Sequence, residues 1–399
     1  MVKTIIKQIF RAVPALGNAY ADYKGRLQER AAAADVTAYT ERAGRMGVTV
    51  KTGASLSAAL AGRLAARGLS VSPRDKGKLH IFLAYPRNNW EGVLEKALEP
   101  FGRITVFEWK SRSYDDMAAD WQMRRGAMNA EMLNAFHSAN AERKIDVVVG
   151  YLSGYNTAPA VPAEMAKSGA VILNFCWDDK LYFRGFEMGG RCVGPCDLAK
   201  EVDLNLTCAP DSVLKYAVEG GLALFWPEGA QSEIHKRYEL PFEFDVSFVG
   251  QNYGWRPTFI RNLGEMGIKV ECFGKGWKNG PLSDDEMIKL YSRSRINLGF
   301  AGIGFSKRLM GLKGRDFEVP MSGGLYLTQD NPELALVYKA GEEILTYHAE
   351  KDCAETIKNL LADQDRAERI RRAGRARALR DHTWERRFED VFRFSGIMK

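Results

Sequence analysis

The sequence predicts an α/β protein: two doubly wound parallel sheets in succession, behind a helical N-terminal segment. Three observations carry this. From residue 78 onward, near-continuous apolar runs of strand length alternate with helix-period stretches, the pattern of a parallel sheet covered on both faces. The alternation restarts after "HKRYELPFEF", placing a boundary near Tyr238–Phe244. And 399 residues exceed what one ordinary core organises.

Taken in order, residues 1–75 are rich in Ala, Arg and Gly. "AAAADVTAYTERAGRM" and "SLSAALAGRLAARG" carry apolar residues at helical spacing, and "SVSPRDKGK" ends them with a proline-containing break. "KLHIFLAY" is the first strand, "WEGVLEKALEPFG" a helix and "RITVFEW" the second strand, with a long helix over roughly Met117–Arg143. "KIDVVVGYLSG", "AVILNFCWDD", "VDLNLTCA" and "LALFWPEGA" continue the strands, with helices "APAVPAEMAKSG" and "DSVLKYAVEGG" between them. The second series reads "FDVSFVGQ", helix "WRPTFIRNLGEMG", "IKVECFGKGW", helix "SDDEMIKLYSRS" capped by Ser283, "RINLGFAG", "LYLTQ" and "EEILTY". Three helical segments from about Glu350 to Phe394 close the chain. The predicted organisation is therefore a helical extension (1–75), a first sheet domain (76–240), a second (241–380) and a terminal helix (381–399).

Composition excludes several classes. Hydrophobic content of 46% and charged content of 27% are globular. No apolar run approaches the ~20 residues needed to span a bilayer. "MVKTIIKQIFRAVPALG" is broken by Lys7 and Arg11, which argues against a signal peptide; it reads as a packed first helix or as an amphipathic helix at a membrane surface. The net charge is +7, with much of the excess in "RAERIRRAGRARALRDHTWERR". Those charges spread around a helix rather than along one face, so a solvated surface and a basic cleft for an anionic substrate are preferred over nucleic acid. Six cysteines, with only Cys192 and Cys196 close together, read as reduced thiols of a cytoplasmic protein and not as a metal site. There is no G-x-x-x-x-G-K-[ST], no G-x-S-x-G, no H-E-x-x-H and no G-x-G-x-x-G after the first strand.

The candidate site residues fall just past strands, where ligands of open α/β sheets bind. Gly250 follows "VSFV" and Arg256 stands at a helix start, an anion site or simply a turn and a solvated cation. In "CFGKGW", Gly274 and Trp277 could receive a flat ring, or form a turn with a core tryptophan. If "GLKGRDFEVPMSGG" begins a helix, Lys313 and Arg315 beside its positive end would attract a diphosphate. Glu318, three residues beyond Arg315, would accept from two ribose hydroxyls or merely pair with Arg315. In the first half, Asp178 and Asp179 follow a strand beside Trp177 and would orient sugar hydroxyls, share acid–base work or cap a helix. Glu228 in "PEGA" lies at another strand end.

With these in hand, the order of "FDVSFVGQNYGWRPTFIRNL", "GIKVECFGKGWKNGPLSDDEMIKLYSRSRINLGF", "LKGRDFEVPMSGGLYLTQDNPEL", "GEEI" and "RALRDHTWERR" resembles the CgeB-like glycosyltransferases, spore-maturation-protein-like enzymes of GT-B fold. The match covers about Phe244 to Arg387; "NFCWDD" and "FWPEGA" anchor a looser one from Leu79 to Ala230. The resemblance implies two Rossmann-like domains facing a cleft, a nucleotide-diphosphate sugar (UDP-, GDP- or dTDP-) as donor and transfer to a glycan, lipid-linked or protein acceptor, as in polysaccharide biosynthesis. It implies retention of configuration and no metal or other cofactor. Glu318 would hold the donor ribose, Lys313 and Arg315 would face the diphosphate with Arg256, and Ser322–Gly323–Gly324 would close the helix beneath it. Asp178 and Asp179 would face the transferred sugar as catalytic residues. Many retaining relatives carry a second glutamate eight positions earlier, where Met310 stands here. The terminal helix after Thr383 would cross back to the first domain. Residues 1–75 would contact a membrane surface, a partner or a second subunit. Two other readings are a GT-B-like protein that binds a nucleotide sugar or glycan without transfer, and a basic nucleic-acid or membrane-surface binder.

Overall fold

A computed structural model describes residues 14–87 and 92–399. The stretch read above as an amphipathic first helix lies largely outside these residues, as does Trp90 at the start of the expected helix "WEGVLEKALEPFG". The chain divides into two compact units: Asp35–Pro227 with Trp384–Lys399, and residues up to Ala34 with Glu228–Thr383.

Helix α1, Pro14–Met46, contributes its early residues to the second unit and the rest to the first. The first unit continues with α2 (Gly53–Ala66), β1 (Leu79–Tyr85), α3 (Val93–Leu98), β2 (Gly102–Glu108), α4 (Trp121–Glu142), β3 (Val147–Gly150), α5 (Ala160–Ala166) and β4 (Val171–Cys176). Then come the single turn α6 (Asp179–Tyr182), a two-stranded ribbon β5 (Glu187–Met188) and β6 (Arg191–Cys192), β7 (Leu204–Thr207), α7 (Ser212–Val218) and β8 (Ala223–Phe225). The sheet order is β2-β1-β3-β4-β7-β8, every pair parallel. All seven residues of β1 are buried, because both faces are covered. Leu79, Ile81, Leu83 and Tyr85 pack with Leu56, Leu60 and Leu64 of α2 and with Phe388, Val391 and Phe392 of the closing helix. Phe82 and Ala84 pack with Met128, Met132 and Phe136 of α4. That two-faced burial is why the strand reads as a continuous apolar run and not an alternating one.

The second unit contains β9 (Phe244–Val249), α8 (Arg256–Glu265), β10 (Glu271–Phe273), α9 (Asp284–Arg293), β11 (Ser294–Leu298), α10 (Gly314–Met321), β12 (Tyr326–Gln329), β13 (Leu345–Tyr347), α11 (Glu350–Ala362) and α12 (Gln364–Asp381). Helix α13 (Trp384–Phe394) returns to the first unit. The order β10-β9-β11-β12-β13 is again wholly parallel. Ser283 caps α9, its hydroxyl accepting from the Glu286 amide at 3.3 Å. One sheet face is apolar: Val246, Phe248, Ile296, Leu298 and Leu327 pack on Phe259 and Leu263 of α8 and Ile357 and Leu360 of α11. The other carries buried polar groups. Ser294 donates to Ser247 at 2.7 Å, Ser247 to Asn297 Oδ1 at 3.3 Å, and the Asn297 amide to the Tyr291 carbonyl at 3.1 Å.

In both sheets the second strand lies outside the first, so the order reverses between β1 and β3 and between β9 and β11. Such a switch point leaves a crevice at the carboxyl ends of the two strands.

Candidate functional site

A cavity of about 170 Å³ opens at the β9/β11 switch point. Its walls are the end of β9 (Ser247 to Gly250), the end of β11 (Asn297 to Phe300), Arg256, Tyr291, Tyr326, and Lys313, Arg315 and Val319 at the start of α10. Three cations line it, and among the described residues no carboxylate does. Helix N-termini add their own positive ends, since Arg256 is the first residue of α8 and Lys313 directly precedes α10. A cavity this small admits one end of a ligand, and its charge selects an anionic one.

Arg256, Gly250 and Arg315 are held from outside the cavity. The Arg256 guanidinium stacks 4.5 Å from the Tyr253 ring centroid and donates to the Gln251 carbonyl at 3.3 Å. Burial lowers its pKa while leaving it a cation. Gly250 needs its missing side chain, because a Cβ would stand 2.6 Å from the Phe248 ring. Gly274 is more demanding: its φ is +123° and a Cβ would lie 2.3 Å from the Gly250 carbonyl oxygen. Trp277 reaches the same oxygen with its indole N–H at 2.9 Å. Gly274 and Trp277 thus brace the loop behind Gly250 and do not line the cavity.

Helix α10 sorts its residues by face. Arg315 and Val319, one turn apart, face the cavity, whereas Glu318 does not line it. Glu318 is 7% exposed. Its Oε2 pairs with the Arg315 guanidinium, and its Oε1 lies 3.9 Å from Nε2 of buried His235. Burial acts to lower the Arg315 pKa, but the Glu318 carboxylate together with Tyr291 and Tyr326 outweighs it and the net shift is upward, so the cation persists. His235 goes the other way: burial lowers its pKa against the pull of Glu318. Its Nδ1 accepts from the Gln231 amide at 3.1 Å. At Gly314 a Cβ would meet Glu228 Oε2 at 3.1 Å and Glu318 Oε1 at 3.2 Å, so this glycine lets two carboxylates approach the first turn of α10. Asp316 closes that turn by accepting from the Lys313 amide at 2.8 Å; burial pushes its pKa up to about 7. Ser322, Gly323 and Gly324 sit at the opposite end of α10, off the cavity wall. They form the turn into β12, where Gly323 has φ +73° and a Cβ on Gly324 would lie 2.7 Å from Val319.

Met310 forms an antiparallel bridge with Gly302. Among the described residues no group of three or more His, Cys, Asp or Glu is placed to hold a metal ion, and no helix is long and apolar enough to cross a membrane.

In the first unit the two aspartates past β4 part company. Asp178 is exposed and accepts from the Tyr151 hydroxyl at 3.2 Å. Asp179 is fully buried, accepting from Thr207 and from Tyr216, each at 2.9 Å. Burial drives its pKa up to about 7. Both of its oxygens are engaged internally, so it anchors the loop and offers no edge to a substrate in this structure.

The sequence reading therefore placed Gly250, Arg256, Lys313 and Arg315 in one cavity and missed Ser247, Tyr291, Asn297 and Tyr326. A signal existed for two of them. Ser247 and Asn297 are polar residues set between apolar neighbours, in "VSF" and "INL", and a polar residue inside a buried strand has to face something polar. Tyr291 carried no such signal; its hydroxyl is buried without a hydrogen-bond partner.

No curated protein matches the sequence. Residues 256–393 match a family described as glycosyl transferase-like. Among solved structures the chain is similar to a sucrose-phosphate synthase from Thermosynechococcus elongatus, with TM-score 0.56 and 12% identity over 79% of this chain and 98% of that one. It is also similar to Alr3699/HepE of Anabaena in complex with UDP, with TM-score 0.55 and 11% identity over 79% and 98%. A glycosyltransferase from Rickettsia africae gives TM-score 0.54 and 10% identity over 80% and 98%. At these identities the likeness establishes the fold, two Rossmann-like domains of GT-B type with a helical N-terminal region, as the sequence predicted.

Proposed function

We propose that the protein is a nucleotide-sugar-dependent glycosyltransferase of the CgeB-like group. The observation that carries the reading is the cavity at the β9/β11 switch point, lined by Arg256, Lys313 and Arg315 and by no carboxylate among the described residues. The glycosyl transferase-like match over residues 256–393 and the UDP bound by the HepE structure support it.

Cleavage of a sugar–phosphate bond leaves a nucleoside diphosphate whose negative charge grows toward the transition state. Preorganised cations and helix ends stabilise that charge without a metal, and such electrostatics is usually the largest catalytic term. In this assignment Arg256, Lys313 and Arg315 receive the diphosphate. Glu318 holds Arg315 in place, and its second oxygen is assigned to the ribose hydroxyls. Asp178 orients the transferred sugar or the acceptor. The sugar is a hexose, configuration is retained, and a glycan, lipid-linked or protein acceptor with a cytoplasmic site of action completes the reading.

The test is calorimetric titration with UDP and GDP. Arg315→Glu should weaken binding by at least tenfold, since it removes a charged contact and inserts a like charge (about 1.5–3 kcal/mol). Arg369→Glu, an exposed change on α12, should leave affinity unaltered. Equal losses, or no binding to the unaltered protein at millimolar nucleotide, would sink the proposal.

A further inference from the structure

The loop from β11 to α10 begins and ends in the cavity: Phe300 lines it at one end and Lys313 at the other. Its middle is held by the start of helix α1, a segment that the sequence reading assigned to contact with a membrane surface, a partner or a second subunit. Along α1, Ala21 and Gly25 are buried one turn apart, and Gln28 and Glu29 follow on the same side. The Gln28 Oε1 accepts from the Phe305 amide at 2.7 Å, and the Glu29 Oε1 accepts from the Ser306 hydroxyl at 2.6 Å. Ser306 Oγ in turn accepts from the amides of Arg308 at 3.0 Å and Leu309 at 2.8 Å. Helix and loop are in backbone contact, since a Cβ on Gly25 would lie 2.7 Å from the Phe305 carbonyl oxygen. A Cβ on Gly304, whose φ is +59°, would meet the Gln28 amide at 2.6 Å.

The loop is also tied toward the site. Lys307 stands 5.5 Å over the ring of Trp255, the residue before Arg256, and its carbonyl accepts from Gln329 at 2.8 Å. A displaced loop would carry Phe300, Lys313 and the first turn of α10 with it.

We propose that Gly25, Gln28 and Glu29 are positioning residues for donor binding: they set the 301–313 loop, and through it the cations of the cavity, in the geometry that grips a diphosphate. None of the three lines the cavity. The inference rests on reading that cavity as the nucleotide-sugar site.

The test compares three full-length proteins: unaltered, the pair Gln28→Ala with Glu29→Ala, and the exchange Gln28→Glu with Glu29→Gln. The exchange keeps both acceptors and the net charge. Two readouts are taken, amide hydrogen exchange at residues 305–309 and calorimetric affinity for UDP and GDP. The alanine pair is expected to exchange faster at Phe305, Arg308 and Leu309 and to bind roughly tenfold more weakly, with the exchanged pair restored in both. Faster exchange with unchanged affinity overturns the positioning role, and unchanged exchange overturns the brace itself. Gly25→Ala gives an independent check, because its methyl pushes the loop without removing an acceptor; the same two shifts are expected, and their absence counts against the proposal. Should the unaltered protein bind neither nucleotide, it is the donor reading that fails, while exchange at the loop still decides the brace.

Discussion

The carboxyl ends of the two sheets share a strand order and differ in chemistry. At β9 and β11 the chain presents glycines and cations, with Arg256, Lys313 and Arg315 around one cavity. Past β3 and β4 it presents aromatics and carboxylates: Tyr151 stacks 5.0 Å from Phe175, Trp177 stands 4.6 Å from Phe175, and Asp178 is exposed beside them. Both arrays hang from parallel sheets reversing at the same position, so the topology supplies only the crevice. What the crevice accepts is decided by the first few residues after each strand.

Two glycine substitutions test this contrast most severely. Gly102 has φ +145° with a would-be Cβ 2.1 Å from the Leu79 carbonyl, and Gly274 has φ +123° with one 2.3 Å from the Gly250 carbonyl. Alanine at either should destabilise its unit by about 3 kcal/mol or more, from backbone strain plus overlap, read by chemical denaturation. Only Gly274→Ala should also weaken nucleotide binding by the protein that remains folded, since Gly102 lies at the start of β2, remote from any strand's carboxyl end. Equal effects on affinity would erase the contrast.

A second test takes the two aspartates past β4 in turn, Asp179 by pH and Asp178 by turnover. Asp179 titrates near 7 when folded against an ordinary 3.8, so the native state keeps a proton that the unfolded chain has already released. Stability should therefore fall as pH rises from about 4 to about 7, by as much as roughly 1.4 kcal/mol per pH unit, and level off above. Buried Asp316, also raised to about 7, adds to the same slope. Asp179→Asn should flatten part of that slope in thermal unfolding from pH 4 to 8. Asp178→Asn is expected to lower transferase turnover; a normal turnover would remove Asp178 from the mechanism.

The smallest expected effect is at Tyr291. Its hydroxyl is buried without a partner at the cavity wall, so Tyr291→Phe should raise the stability of the free protein by about 1 kcal/mol. If a bound nucleotide supplies the missing partner, the same change weakens binding severalfold. A variant that is both destabilised and unaltered in affinity would show the hydroxyl to be structural.

These contrasts also mark what was legible beforehand. Strand β1 could be read because burial on both faces leaves an unbroken apolar run. The basic first turn of α10 could be read because three residues of sequence suffice to specify it. The strand expected through "IKVECFGKGW" stops at Phe273, since the positive φ of Gly274 takes the backbone out of the sheet. The helix expected from Met117 starts at Trp121, after turns through Ala118. Glu318 was placed at the right helix turn, but which side of that helix met the cavity depended on packing. The same holds for Asp179, whose partners Thr207 and Tyr216 come from β7 and α7. The use of α1 was hidden for a like reason: small residues at helical spacing say that something fits closely, and nothing local says what.

Helix α1 has a practical corollary for anyone expressing a shortened form. A start codon placed at residue 76, where apolar runs begin to alternate with helices, looks like the natural trimming point. It would delete the acceptors for Phe305 and Ser306, together with Leu56, Leu60 and Leu64 from beneath β1, and the resulting fragment would be a poor stand-in for the intact polypeptide in any assay.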